Sequence, residues 1–436
     1  MKKFTRLLLA GLILGFLLSA CESLPFELPW LAPGTPTSTT PPGVENLTPT
    51  PEVTPTPDAT PEPVRRLVLW VPPEMDPELE TEATRIFANR LQLFSDLNNG
   101  IEIIVRVKAA SGPGGLLDAL TATSAAAPNA LPDVIALARP DLETAALKNL
   151  IYPLEGMTEV PDDTDWFSFT REMALLQGGT FGLPFAADSL ALVYRPAAVE
   201  EFPASWSALL ETGVPVAFPA DSDQALFPLA LYLAEGGLIQ DTQRRPTLEV
   251  EPLTEVFRFL AEGTNLGIFS DTLLQYQTAG QIWTAFRDGQ TDLAVTWVSH
   301  FLQEGPADAA LAPLLPFSGN TVSLGTGMAW AVATPQENRQ TLAVDLAEFL
   351  VQPDFLAEWS MAAGYLPPRP SALEGWRNQS LRSTISQVAL MSQLRPSNDI
   401  LTTIGPIMRE GVGQILQGTV DPAQAAQVAV ESLEAQ

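Results

Sequence analysis

The 436-residue chain has a single cysteine, Cys21, and a single histidine, His300. One thiol excludes an intrachain disulfide, and one imidazole beside it excludes a Cys/His zinc cluster. Basic side chains are scarce as well: 23 Lys and Arg stand against 51 Asp and Glu, a net charge of -28. Nucleic-acid binding needs a basic face that releases counterions from phosphates, so this balance argues against it, and against electrostatic docking on anionic lipid. No GxSxG, HExxH or phosphate-loop motif occurs, which removes the usual serine, zinc and nucleotide routes. What is abundant is apolar content, 46%, enough for a sizeable core in a chain long enough for two globular units.

The lone cysteine has a context. "MKKFTRLLLAGLILGFLLSAC" places Lys2, Lys3 and Arg6 before an apolar stretch, then small residues before Cys21. Charge, apolar core and small-residue exit predict a secretory signal over 1–20. The apolar stretch is short for a membrane span of ~20 residues. Leu18-Ser19-Ala20-Cys21 resembles the bacterial lipobox. That resemblance implies a lipid on Cys21, cleavage before it and an extracytoplasmic place at the membrane surface, held by two or three acyl chains. From Glu22 to Val64, 43 residues hold 12 prolines interspersed with threonine, as in "TPTPEVTPTPDATPEP". Such a segment cannot bury a core. Residues 21–64 are expected to be a lipidated Cys followed by a solvated tether, with a reach on the order of 130 Å at ~3.1 Å per residue.

Beyond Arg65 the pattern alternates. "RLVLWV" (66–71), "IEIIVRV" (101–107) and "DVIALA" (133–138) read as strands. Between the first two, Asp76-Pro77 suits the start of an amphipathic helix that ends at Asn99-Gly100. Helices are expected at about 116–123 and 141–149. After Pro184 the alternation restarts, with strands at 190–194, 214–219, 292–298 and 327–333. Helices are expected at about 224–235, 251–262, 280–287 and 336–351, and the last begins at Asp421-Pro422. Strand and helix in turn predict α/β units with a mainly parallel sheet.

Several segments in order resemble the extracellular solute-binding proteins of ABC importers, of the maltose-binding type. "GTFGLPFAADSLALVYRPAAVEEFPASWSALL" (179–210) is the strongest match. "LPDVIALARPDLETAALKNLIYPLE", "IWTAFRDGQTDLAVTW" and "AVDLAEFLVQPDFLAEWSMAAGYLPPRPSAL" are similar to further blocks of that family. The resemblance implies an α/β, two-lobe periplasmic-binding-protein-like (type II) fold with hinge crossovers. By analogy the first lobe is 66–183 plus 318–370 and the second 188–312 plus 371–436, with crossings near 182–186 and 314–318. It also implies a monomer that binds a small solute, a mono- or oligosaccharide, and delivers it to separate permease and ATPase chains. No cofactor and no catalysis are implied.

Open α/β sheets bind ligand beyond the carboxyl ends of their strands. That rule singles out Trp70 and Glu74 after the first strand, Arg139 and Asp141 after the third, and Trp297 and His300 after "DLAVTW". Asp188 follows the first crossing, Met328 and Trp330 lie on the late strand, and Tyr365 is in "GYLP". Aromatic rings suit the C–H faces of a sugar, and carboxylates and guanidinium groups suit its hydroxyls. Each has a structural alternative: the tryptophans and Met328 as core, Asp141 as a helix cap, Arg139 as the partner of a local acid.

Other readings stay open at this level. The acidity admits a polyamine or other cation as ligand. Iron held by a tyrosine pair is disfavoured, since the five tyrosines include no adjacent pair. A sensor or adhesion subunit on the same fold, or a hydrolase using two of the many carboxylates, would share this composition.

Overall fold

The computed structural model describes residues 66–199 and 201–435. The expected signal segment, Cys21 and the tether lie outside the described residues. Ten strands follow in chain order: β1 Arg66–Val71, β2 Glu102–Val107, β3 Val134–Ala138, β4 Leu175–Leu176, β5 Gly179–Thr180, β6 Leu183–Tyr194, β7 Leu293–Trp297, β8 Ala310–Ala312, β9 Ser323–Val332 and β10 Ser392–Leu394. β4 and β5 form a small hairpin. The others share one sheet in the order β2-β1-β3-β9-β6-β7, with β10 beside β9 and β8 beside β6.

β1, β2 and β3 are parallel, each followed by helical chain, as their near-continuous apolar runs require. β9 returns antiparallel between β3 and β6. β6 and β9 are the longest strands, with 12 and 10 residues. The sequence pattern reveals only 190–194 of the former. Pro184 conceals the rest, because proline removes a ladder donor; a register shift between Pro184 and Ala186 accommodates it. The expected strand at 214–219 is reduced to one bridge, Ala217 to Ala294, between prolines at 215 and 219. The first long helix is Glu82–Leu97 rather than one starting at Asp76. Thr81 and Thr84 form its reciprocal cap, while the Asp76 carboxylate accepts from the N–H of Glu78 at 2.9 Å in a preceding turn. The helix Pro422–Glu434 starts as expected, its cap Asp421 accepting from the N–H of Ala423 at 2.9 Å.

The cores explain the two-lobe architecture. One face of β1–β3 and β9 packs Leu67, Leu69 and Trp330 against Phe87 of the helix Glu82–Leu97 and against the helix Pro353–Ala363; the other face packs Trp70 and Leu137 against Leu120 of the helix Leu116–Ala126. A separate, larger core gathers Leu192, Trp206, Phe218, Phe257 and Ile404 around β6–β8. The chain touches the larger core first at Phe167 and Phe169, and then passes between the cores within β6 at 186–187, within β9 at 324–328 and again at 366–373. The second passage comes later than the expected 314–318, because Leu314, Leu315, Phe317 and Val322 all belong to the larger core.

The β6–β9 ribbon is covered closely on one face. A Cβ at Gly327 would stand 2.2 Å from the carbonyl oxygen of Ala186 and 3.0 Å from the sulfur of Met173. On that face the Ser189 hydroxyl lies 2.8 Å from that of Ser323 and 2.6 Å from that of Ser392, joining β6, β9 and β10.

Candidate solute-binding site

The opposite face of the ribbon is built by register. Met328 pairs with Ala186, Thr326 with Asp188, and Leu190 with Trp297 of β7. Directly paired residues share a face, and so do residues two apart. Met328, Thr326, Asp188, Leu190 and Trp297 therefore form one stripe across the sheet. Along β9 the half-buried stretch is Thr326–Met328; the rest of the strand is buried.

At the end of this stripe, beyond the carboxyl end of β7, lies a cavity of about 380 Å³. Leu190, Val295 and Phe227 supply an apolar floor, and the half-exposed indole of Trp297 a wall. Asp221, Gln277 and Arg409 supply a polar rim. The amide of Gln277 donates to Asp221 at 3.0 Å, and the Arg409 guanidinium pairs with Asp223 and lies 3.8 Å from Asp221. These acids are thus oriented before any ligand arrives. A ring wall beside fixed acceptors and donors suits a molecule with C–H faces and hydroxyl edges.

Asp188 ties the stripe to the helix Val298–Glu304. One carboxylate oxygen accepts from the N–H groups of Ser189 and Ser299 at 2.9 and 3.0 Å. Trp297, the residue before that helix, offers no side-chain cap, so a carboxylate from β6 does this instead. Burial pushes the Asp188 carboxyl up to about 6, against the opposing pull of the Ser299, Ser189 and Val298 donors. Nearby, Tyr365 stacks on Trp359 with centroids 6.0 Å apart. Burial, then the charges of Glu74 and Asp188, push its phenol up, opposed by a hydrogen bond with Gln303. Gln303, on the helix Val298–Glu304, donates to the Ala363 carbonyl at 3.2 Å, two residues before Tyr365.

The other expected residues are placed differently. Trp70 and Trp330 are 2% and 1% exposed and fill the cores of the first lobe; Trp330 stacks on Phe185 at 4.2 Å. Large apolar rings facing helices are worth more buried than at a wet surface. Arg139 is also inside. Its guanidinium donates to Glu143 at 2.9 Å, and to the carbonyls of Met173 and, at 3.3 Å, Glu172. Burial lowers its pKa, opposed by Glu143. Asp141 is half-buried in the first turn of the helix Arg139–Leu147, away from the cap position held by Ala138, and burial raises its pKa. It lines a smaller cavity of about 220 Å³ with Ser111, Gly112 and Lys148. His300 stands 2.6 Å from the Thr296 hydroxyl and stacks on Trp283 at 5.9 Å. Burial lowers its pKa, and it does not line the larger-lobe cavity.

Asp221, Gln277, Leu190 and Arg409 line the candidate site and were not singled out by sequence reasoning. "FPADSD" follows an apolar run, and the strand-end rule applied there finds Asp221. Arg409 comes from the distant helix Asn398–Leu416 and carries no local signal.

A family model, the bacterial extracellular solute-binding proteins, matches residues 93–381 of this sequence, more than half of it. The chain belongs to that family. No curated protein matches the solute-binding chain by sequence. Solved structures do. The cyclic alpha-maltosyl-1,6-maltose binding protein of Arthrobacter globiformis superposes with a TM-score of 0.69 at 16% identity, covering 85% of this chain and 98% of that one. The sugar-binding protein MalE of Xanthomonas citri gives 0.69 at 17%, covering 85% and 96%. A cyclo/maltodextrin-binding protein complexed with maltotetraose gives 0.69 at 19%, covering 87% and 98%. At such identities the likeness is one of fold: this solute-binding chain has the two-lobe architecture of those proteins. Among the described residues, no helix is long and apolar enough to cross a membrane.

Proposed function

We propose that this solute-binding protein captures a mono- or oligosaccharide in the cleft between its lobes and hands it, chemically unchanged, to the permease of an ABC importer. The lobes are residues 66–186 plus 328–372 and residues 187–326 plus 373–435, hinged where the chain passes between the cores. Trp297 covers a sugar face, Asp221, Gln277 and Arg409 take hydroxyls, and Glu74, Asp188, Met328 and Tyr365 line the floor and the facing wall. Cys21 carries the lipid that keeps the protein at the outer surface of the cell membrane. No group here is asked to do chemistry, so the protein is a receptor rather than an enzyme.

The observation that carries this reading is the stripe from Met328 to Trp297 ending in a cavity with a half-exposed indole and a fixed polar rim. The fold-mates whose names give cyclic alpha-maltosyl-1,6-maltose and cyclo/maltodextrin as ligands support it. A thermal-shift screen against oligosaccharides, polyols and polyamines tests it. A ligand at 100 times its dissociation constant stabilises by ~2.7 kcal/mol. An oligosaccharide that shifts the melting temperature and is recovered intact agrees with the proposal. A shift with polyamines alone, or recovery of a cleaved glycan, contradicts it.

A further inference from the structure

β2 forms the margin of the sheet. Its backbone polarity follows from one bond: the N–H of Lys108 donates to the Val71 carbonyl at 3.0 Å, in the same parallel register that runs from Arg66–Glu102 to Val71–Val107. Successive residues of a strand direct their N–H and C=O to alternate sides. Glu102, Ile104 and Arg106 therefore bond inward to β1, and Ile101, Ile103, Val105 and Val107 direct theirs outward. Among the described residues, no strand takes that side. Beside it runs a groove of about 710 Å³, with Leu91, Ile103, Val105 and Val107 on its apolar side and Asp76, Glu78 and Gln92 on its polar side. "EIIVRV" holds no proline and no lysine, and its two edge charges, Glu102 and Arg106, are of opposite sign and so do not repel a second copy.

We propose that this edge pairs with β2 of a second copy, antiparallel, across a two-fold axis at Ile104, in place of the monomer expected from the family resemblance. Backbone polarity places the axis on a residue rather than between two, and the charges choose which residue. With the axis at Ile104, Ile103 of each copy stands opposite Val105 of the other. Both are outward-facing, so each pair exchanges two N–H···O=C bonds. The same axis sets Glu102 opposite Arg106 twice, pairing the only charges of the strand. An axis at Ile103 places Arg106 against Gly100; an axis at Val105 sets Glu102 opposite Lys108 but leaves Arg106 against Ile104, so the axis at Ile104 is the one of the three that pairs both charges of the strand. The symmetric pair sets the Ile103 and Val105 side chains of the two copies side by side, as a self-complementary interface must.

Cysteine cross-linking of the full chain carrying Cys21→Ser tests the register. Residues at a non-hydrogen-bonded antiparallel site have Cα atoms about 4.5 Å apart, within disulfide range. Ile104→Cys is expected to give disulfide-linked dimers on mild oxidation. Glu102→Cys and Arg106→Cys are expected to stay monomeric alone and to cross-link when mixed. Because an Ile104 variant is open to misfolding, sedimentation of the charge variants provides a second readout. Glu102→Arg is expected to weaken self-association about tenfold, and adding Arg106→Glu to restore it. Monomeric Ile104→Cys together with sedimentation of the unmutated strand as a monomer overturns the proposal. So does equal cross-linking of the 102, 104 and 106 variants, which reports random collision.

Discussion

Two tryptophans stand at corresponding places in the two lobes, near the carboxyl ends of strands in one sheet, and they do opposite things. Trp330, on β9, is 1% exposed, sandwiched by Phe185 and Phe87 in the first lobe's core. Trp297, ending β7, is half-exposed against a cavity with a polar rim. Both are nominated from their strands, Trp297 at a strand end and Trp330 on the late strand. What separates them is the layer above: the helices Glu82–Leu97 and Pro353–Ala363 cover the first, while the loops at 219–224 and 277–279 stand back from the second. Position on a sheet thus nominates a residue, and the covering helices decide whether it is core or site.

The largest effect that sharpens this contrast is expected from Trp330→Ala. It should cost about 3–5 kcal/mol of stability in chemical denaturation, as truncation of a packed ring does. Next, Gly327→Ala forces a methyl against the Ala186 carbonyl and Met173 and should cost about 1–3 kcal/mol, measured the same way. Trp297→Ala should leave stability within about 1 kcal/mol of the parent and weaken oligosaccharide binding about tenfold or more by calorimetry. If the two tryptophan variants lose stability equally, the contrast fails.

The smallest effect concerns Asp188. Its carboxyl sits at about 6 in the folded protein and near 3.9 unfolded. Between these values the folded state binds more protons, so the contribution of this group to stability falls as pH rises from about 4 to 6 and stays low above. Asp188→Asn keeps an acceptor for the Ser299 N–H and removes the charge. Melting curves across that range should lose this part of their pH slope. An unchanged slope would show that Asp188 titrates normally.

Much of the fold was legible because buried strands and amphipathic helices write their periods into the chain. β1, β3 and β7 lie within a residue or two of their expected limits, and the helix after Asp421 starts where its cap and proline say. The hinge ribbon was harder to see. Pro184 at a bulge and three glycines or serines in "SLGTG" look like loop, yet they are what lets two strands cross beneath Phe169 and Met173. The site was legible only in part. Crossing and strand-end arguments nominate Asp188 and Trp297 for the candidate stripe, whereas Trp70 and Trp330 differ from surface residues only through partners far along the chain; Arg139 is held by Glu143 four residues on, the local acid of its structural alternative, and by the carbonyls of Met173 and Glu172. Glu143, which holds Arg139, also accepts from the N–H of Asn398 at 3.0 Å, a contact no local pattern encodes.

The most direct test is a parallel titration of one maltooligosaccharide into the parent chain, Trp297→Ala and a Trp283→Phe control beside His300. The account predicts saturable binding to the parent and the control, with affinity lost in Trp297→Ala alone. Equal affinity in all three would place the solute elsewhere and contradict it.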